Sequence, residues 1–429
     1  MANYDAIIIG AGVVGCSIAH ALARNGFKTL NVDSLPAAGY GSTSHSSAII
    51  RPLYSDIEAA CVAHESRSRW LKWGEFVGDQ DALAQYNEAG LTILLFEGDD
   101  NAFHANITSM KEAGVNAVRL SKEETLKKYP KIIDTGFAPP KPIDDPTFGE
   151  PNGRDLIGAL HVAEAGFVND PQLAAKNLSE AAKKLGAVFK FNAKVSEIFT
   201  TDNTVTGVEL ESGETISAPI IINAAGPHSG IINEMANIRP ALPIKTRALR
   251  HEVAYIPAPE GMTKADGMNP LMDMDTGIYV KPDGNDLVLG TLDPPCDGED
   301  EVDPDDYNTE ITGQWTTQAW RGGLRIPSLE IPNTARGFAA LYDVSDDWCP
   351  IYDKTDLGGF YLAIGTSGNQ FKNAPMIGDI MATIIMAESQ GIDHDVDPCS
   401  LTLTAIGKTV DLSYYSRNRE IRETNTVLA

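Results

Sequence analysis

Gly10, Gly12 and Gly15 stand at G-x-G-x-x-G spacing in YDAIIIGAGVVGCSIAHALARNG, between an apolar run and an amphipathic one. In a strand–turn–helix unit the three glycines allow, in order, a tight turn, close approach of backbone to phosphate, and close packing of helix on strand. A pyrophosphate would rest at the helix N-terminus, where unpaired N–H groups and the helix dipole favour an anion. Asp33 closes the next apolar run, FKTLNVD, where a carboxylate can accept hydrogen bonds from ribose hydroxyls. Together these residues predict a bound dinucleotide. Downstream, GSTSHSSAIIRPLYS supplies Ser42, Thr43, His45 and Arg51, a cluster of hydroxyls, an imidazole and a fixed cation.

The elements that must position these groups are readable in outline. YDAIIIG is a buried strand, AGVVGCSIAHALARNG a helix stopped by Gly26, and FKTLNVD a second strand. DIEAACVAHESRSRWLKWGEFV has helical character and GLTILLFEG strand character. Residues 101–149 carry a helix, a helix-like SKEETLKKYP and a Pro-rich surface loop, FAPPKPIDDPTFGEPNG. A helix and several strands follow to residue 226. Residues 240–330 are strand-like and broken by turns, with an acidic loop at CDGEDEVDPDDYN, before helical character returns at NAPMIGDIMATIIMAES. There is no internal repeat and no flexible linker. Nucleotide-like signals occur near the start, the middle and the end, so one α/β domain is expected to be assembled from separated segments around an inserted substrate domain.

Composition narrows the chemistry. The chain has 429 residues, 43% of them apolar, with a net charge of −25. So acidic a surface repels nucleic acid and anionic membrane, and neither is expected as a partner. No run of eighteen apolar residues is present, so no membrane span is expected, and the N-terminus shows no leader pattern. Cys16, Cys61, Cys296, Cys349 and Cys399 are scattered without CxxC spacing, which points to a reducing cytoplasm rather than to disulfides or zinc, and no metal site is expected. An anionic substrate would need a local cationic grip.

Three stretches, taken in order, resemble the D-amino-acid oxidase superfamily of flavoproteins. They are GSTSHSSAIIRPLYS, SAPIIINAAGPHSG at 217–230, and GGFYLAIGTSGNQFKNAPMIGDIMA, which is similar to the last FAD-contacting segment. Over residues 1 to about 390 the chain resembles the glycine oxidase, sarcosine oxidase and dimethylglycine dehydrogenase group. The resemblance implies FAD and a two-domain α/β (α+β) fold. A Rossmann-like FAD-binding domain would comprise 1–88, 150–235 and 335–395, and an antiparallel-sheet substrate domain 89–149 and 236–334, with a C-terminal tail at 396–429. It implies cofactor contacts at Gly10, Gly12, Gly15, Asp33, Ser42, Thr43, His45, Val195, Ala225, Gly226, Gly365, Gly368 and Lys372. Independently of the family, the helix beginning near Asn373 follows GTSGNQFK, so its positive end could stabilise negative charge on a reduced flavin.

For the substrate, the resemblance assigns Arg51 and Lys372 to a carboxylate and Tyr279 to the cavity wall. Structural roles compete with each assignment: an ion pair for Arg51, a helix-cap lysine, a half-buried strand aromatic. Three departures separate the chain from sarcosine oxidases. Ala340 stands where they carry a flavin-linking cysteine, Val288 where they carry an oxygen-activating lysine, and Ala48 where an arginine lies close to the flavin. GSTSH matches the G-S-T-x-H stretch through which dimethylglycine and sarcosine dehydrogenases link flavin, which puts His45 forward as a covalent attachment point; a histidine merely hydrogen-bonded near the ring is the alternative. The folate-binding extension of those dehydrogenases is not expected.

The reading is an FAD-dependent oxidoreductase that removes a hydride from the C–H beside nitrogen in a small anionic amine, an amino acid or N-methylamino acid, with the imine then hydrolysed. Oxygen or an electron-acceptor protein would take the electrons. A 2-hydroxyacid or polyol-phosphate dehydrogenase and a non-catalytic flavoprotein subunit are the alternatives. The purified protein is expected to be yellow and to release FAD rather than FMN on extraction. Acid precipitation should leave colour in the pellet if His45 carries the link, and His45→Ala should release it; complete release from the wild type rules the link out.

Overall fold

A computed structural model of the chain describes residues 4–99 and 101–422. Its centre is a six-stranded sheet in the order Ile351–Lys354, Phe360–Ile364, Ile220–Asn223, Ala6–Ile9, Thr29–Val32 and Val188–Lys190. Neighbours are parallel except the Ile351–Lys354 and Phe360–Ile364 pair. Every residue of Ala6–Ile9 is buried, as a strand covered on both faces requires. Alternation then divides it. Ala6 and Ile8 face a helical layer, while Ile7 and Ile9 pack with Val195, Ile198, Val205 and Val208 of a small antiparallel sheet beneath.

The helical layer contains Val13–Arg24, Pro171–Lys184 and Ala374–Ser389. Asp170 caps the second by accepting the Leu173 N–H at 2.8 Å, with Pro171 at the first helical position. The first and third meet where Ser17 donates to the Ala374 carbonyl and accepts the Gly378 N–H at 3.0 Å. A side chain on Gly378 would strike the Ser17 carbonyl, so glycine sets how closely these helices approach. The last sequence motif is thereby docked on the first.

The second large sheet has eight strands, in the order Gly337–Ser345, Thr246–Pro257, Asp286–Thr291, Ile278–Asp283, Leu271–Asp273, Leu91–Phe96, Leu156–Val162 and Ala117–Ser121. All pairs are antiparallel except Leu271–Asp273 with Leu91–Phe96. One face is an apolar core of Leu94, Phe96, Ala254, Ile256, Val280 and Leu289 against Trp315 and Ala319. The other carries Tyr255, Tyr279, Lys281 and Val288, as the pairings Tyr255 with Val288 and Lys281 with Val288 require. Leu156–Val162 and Gly337–Ser345, which lie inside segments assigned from sequence to the nucleotide domain, run in this sheet.

Two elements differ from the sequence reading. Gly313–Arg325 is a helix inside the stretch read as strand-like. Its inward stripe holds Trp315, Gln318, Ala319, Arg321 and Arg325, so buried polar side chains hide the apolar period. The expected tail is part of the packed body: Ser400–Leu403 and Lys408–Asp411 form a hairpin whose Ala405 and Ile406 N–H groups donate to buried Glu65 at 3.0 and 3.2 Å. Arg417 follows, bonded to Asp353 at 3.0 Å and Asp395 at 2.7 Å. Residues 423–429 of that tail lie outside the described residues.

Arg325 ties the eight-stranded sheet to its helix. Fully buried, it donates to Asp273 at 2.7 Å, to Asp275 at 3.0 Å, and to the Ile133 and Thr135 carbonyls at 2.7 and 2.9 Å. Removing one member of such a network strands the others, at a cost of about 3–5 kcal/mol. Arg325→Met should therefore lower unfolding stability by that amount in urea denaturation; a loss below about 1 kcal/mol would show that the network is not structural.

Candidate cofactor and substrate site

The Gly-rich turn is closed by contacts that no side chain could survive. A Cβ on Gly10 would strike the Ala224 carbonyl, and one on Gly15 the Gly10 carbonyl. Gly12 differs: its Cβ position would meet a side-chain atom, Thr43 Oγ1, at a tight 3.2 Å rather than backbone, and the missing side chain lets a phosphate approach the main chain there. Thr43 accepts the Val13 N–H at 3.0 Å, while Val14 and Gly15 occupy the helix's first turn, where N–H groups lack intrahelical acceptors. Asp33 accepts the Ala11 N–H at 2.6 Å and the Leu35 N–H at 2.8 Å. Burial raises its pKa and those two donors oppose the rise. Ala225 sits beside Gly10, and Gly226, at φ +58°, opens the turn Gly226–His228. These residues fit the pyrophosphate and ribose of FAD.

Val195 is placed differently. Its side chain lies in the apolar cluster with Leu30 and Val32, and the neighbouring Ala193 N–H donates to the Asp33 carbonyl at 2.8 Å. Only its backbone is left to meet a nucleotide.

The segment after the second strand bridges the two sheets. Ser42 donates to the Leu341 carbonyl at 2.7 Å. His45 is exposed, with Nδ1 3.1 Å from Ser44 Oγ and its ring 4.9 Å from that of Phe338. Ser47 shares a 2.6 Å hydrogen bond with the Tyr279 hydroxyl, and Lys281 donates to the Ser47 carbonyl at 3.3 Å. Burial pushes the Tyr279 hydroxyl up to about 12 and Lys281 down. Tyr279 is thus a neutral hydroxyl on the sheet face that meets this segment.

Arg51 and Lys372, widely separated in sequence, converge on Tyr54. The Arg51 guanidinium carbon lies 5.1 Å from the Tyr54 ring centre and Lys372 Nζ 4.9 Å from it. Lys372 donates to the Tyr54 hydroxyl at 2.8 Å and to the Asn369 carbonyl, and Arg51 donates to the Leu53 carbonyl. Both are buried, at 4% and 3% exposure. Loss of water drives the Lys372 pKa well below its ordinary value, and the Arg51 charge adds to the effect. The backbone at Lys372 is anchored from the helix Ile57–Leu71: Ser66 Oγ and Trp70 Nε1 donate to its carbonyl at 2.6 and 2.8 Å.

The turn before Lys372 is braced by Asp343, which accepts the Gly365 N–H at 2.6 Å on its carboxylate and the Ser367 N–H at 2.7 Å on its main-chain carbonyl. Burial raises this carboxyl to about 7 against its N–H donors. Gly368, at φ +65°, lies against the Tyr342 ring, where a Cβ would collide. Ala340 is buried and paired with His251, and offers no sulfur for a flavin link. Ala48 is buried at φ +50° and offers no charge. Tyr54, Asp343 and Tyr342 were missed from sequence; Tyr54 alone had a local signal, three residues after Arg51 in RPLYS.

Comparison with known proteins identifies the family and the fold. A family model described as "FAD dependent oxidoreductase" (DAO) matches residues 5–384. The chain is 24% identical over 416 residues to the sarcosine oxidase subunit beta of an Arthrobacter species, covering 95% of this chain and 93% of that one. It is 22% identical over 427 residues to the FAD-dependent oxidoreductase domain-containing protein 1 of Bos taurus, covering 89% and 81%. The crystal structure of L-proline dehydrogenase from P. horikoshii superposes with a TM-score of 0.73 at 24% identity, covering 90% of this chain and 93% of that one.

The paired cations make a pH prediction. Lys372 is charged only below its depressed pKa, so a carboxylate ligand such as acetate should bind more weakly as pH rises through that value, well under the ordinary lysine value of about 10.4. Arg51→Ala and Lys372→Ala should each weaken acetate by about 2–5 kcal/mol, read as loss of the ligand-induced change in the flavin spectrum. Wild-type affinity in both variants would remove the anion site.

Proposed function

The chain belongs to the FAD dependent oxidoreductase (DAO) family, and from that premise we propose that it oxidises the carbon–nitrogen bond of a small amino acid or N-methylamino acid. The observation that carries this reading is the convergence of Arg51 and Lys372 on one tyrosine ring. Lys372 is held there by neutral groups, the Tyr54 hydroxyl and the Asn369 carbonyl, and a substrate carboxylate would offset the repulsion between the two cations. The relatives are consistent in kind, since sarcosine and proline, named for two of them, are carboxylates carrying a secondary amine.

FAD, when bound, supplies the acceptor for the hydrogen and electron pair that leave the carbon beside nitrogen. The chain's own residues bind and orient. Arg51 and Lys372 fix the carboxylate end, and fixing one end of a small substrate limits where its C–H can lie, an effect that can lower a barrier by several kcal/mol. Tyr279, held by Ser47, closes the sheet side as a neutral wall. The nitrogen must be unprotonated at transfer, because its lone pair has to feed the breaking bond.

The electron acceptor is proposed to be a carrier protein or partner subunit rather than oxygen. Val288 puts an apolar side chain where sarcosine oxidases are matched to a lysine, and its cross-strand neighbour Lys281 is engaged with the Ser47 carbonyl and packs 5.1 Å from the Phe167 ring. Among the described residues no helix is long and apolar enough to cross a membrane. The five free cysteines, four of them buried, support a cytoplasmic setting.

An anaerobic screen of small amino acids, N-methylamino acids and hydroxy acids tests the function, with flavin bleaching as the readout. Bleaching by amines is expected; bleaching by hydroxy acids alone would transfer the protein to the alcohol-oxidising class. After reduction, stopped-flow mixing should show slow recovery of the yellow colour with oxygen and fast recovery with an artificial acceptor. Recovery in air as fast as turnover would remove the carrier proposal, and Lys281→Met would then show whether that lysine assists oxygen.

A further inference from the structure

The same face of the eight-stranded sheet holds a second cluster of titratable groups, which carboxylate binding and hydride transfer leave unused. Strand alternation turns Arg250 to one side, where it bonds Glu252 at 2.7 Å and the Asn308 and Glu310 carbonyls at 2.6 Å. His251 is turned to the other, stacked on Tyr342 at 4.2 Å. Tyr342 lies against Gly368, one residue before the Asn369 carbonyl that holds Lys372. His251 Nδ1 is 3.5 Å from Asp293, which follows the strand Asp286–Thr291 at φ +54°. Both ring nitrogens of His251 and Oδ2 of Asp293 are out of water and without a hydrogen-bond partner among the described residues.

Three orphaned polar atoms in one buried cluster are expensive, at about 1–3 kcal/mol each, so a ligand atom that satisfies them has a ready-made gain. An imidazole backed by a carboxyl suits a group with N–H bonds to give. A carboxylate is already served, in the proposed reading, by Arg51 and Lys372. Resting on the proposed amine oxidation, we propose that His251, oriented by Asp293, receives the proton of the substrate ammonium and so prepares the neutral amine that oxidation needs. The substrate N–H bond breaks with its electron pair left on nitrogen, and the proton joins a lone pair of the His251 imidazole. The resulting imidazolium faces the Asp293 carboxylate, and no electrons change hands.

The surroundings set the pH dependence. Burial, with Arg250 adjacent, lowers His251 to about 4, while Asp297 opposes the shift. Burial, with Asp297 and Glu299 nearby, raises Asp293 to about 8, and Tyr279 and Tyr342 are the remaining titratable groups that sense its charge. Arg321 neutralises Asp297 at 2.6 Å and Arg247 neutralises Glu299 at 2.8 Å, which leaves Asp293 the charge that decides. Below about pH 8 Asp293 is protonated and His251 is a weak acceptor. Above it the carboxylate supports the imidazolium, so flavin bleaching by a saturating amino acid should accelerate as pH rises through that value.

The test uses the FAD-loaded protein, with His251→Asn and Asp293→Asn beside the wild type. Anaerobic bleaching is followed across pH, and acetate, a carboxylate without an amine, is titrated by its effect on the flavin spectrum. The expected result is a loss of roughly 100-fold in bleaching rate for His251→Asn above about pH 8, where the wild type is fast, and a smaller loss below it. Asp293→Asn should lose the rise near pH 8, and both variants should keep the resting spectrum and wild-type acetate binding. A wild-type rate and pH profile in His251→Asn overturns the proposal. So does loss of acetate binding or a changed resting spectrum in that variant, which would make the pair a brace or a flavin neighbour. If no amino acid bleaches the wild type, the functional reading itself has failed and this proposal falls with it.

Discussion

Two basic side chains held out of water against one tyrosine ring are the constraint around which this molecule is arranged. Neither Arg51 nor Lys372 could be kept there by its own segment. Lys372 follows a turn braced by the buried Asp343 carboxylate, and its carbonyl is gripped by Ser66 and Trp70 of the helix Ile57–Leu71. Arg69 of the same helix donates to the Pro375 carbonyl at 2.7 Å. Arg51 leaves the short strand Ile49–Ile50, which pairs with Gly166–Val168. A desolvated cation costs stability unless something compensates it.

The eight-stranded sheet separates structural from chemical work by the two-residue period of a strand. Toward the helix Gly313–Arg325 it presents apolar side chains and the Arg250–Glu252 pair, whose carboxylate also accepts the Thr312 and Trp315 N–H groups at 2.8 Å. Toward the segment 42–51 it presents Tyr279, Lys281, Val288 and His251. A slip of one residue in any of these strands would exchange the two sets. Arg250 and His251 are neighbours in sequence on opposite faces of the sheet for this reason.

The two sheets meet through hydrogen bonds that join distant parts of the chain: Ser42 to Leu341, Ser47 to Tyr279, Lys281 to Ser47. These contacts put the histidine-bearing segment between the nucleotide cradle and the tyrosines of the second sheet. The C-terminal hairpin and the Arg417 and Arg419 ion pairs lock the strand Ile351–Lys354 and the turn after Asp346 from outside, with Arg419 bonded to Asp347 at 2.7 and 2.9 Å. The Asp353 and Asp347 carboxylates they hold are fully buried, so this clasp is part of the fold rather than an appendage.

What the sequence by itself determined was local. The glycine spacing, Asp33 at a strand end and the helix after Gly12 follow from steric and hydrogen-bond rules acting over a few residues, and so they were legible at once. The resemblance in three ordered stretches brought forward Arg51, Lys372 and Tyr279, but a resemblance does not say which side chains touch. Tertiary structure alone decided that Arg51 and Lys372 share Tyr54, that the side chain of Val195 belongs to an apolar core, and that Gly313–Arg325 is a helix despite two inward arginines. It also decided that His251, uninformative beside two arginines in sequence, stacks on Tyr342 next to Asp293. In each of these cases the cause is a contact between residues far apart in the chain. Burial and charge pairing come into being only when strands and helices are packed, and no window of sequence contains them.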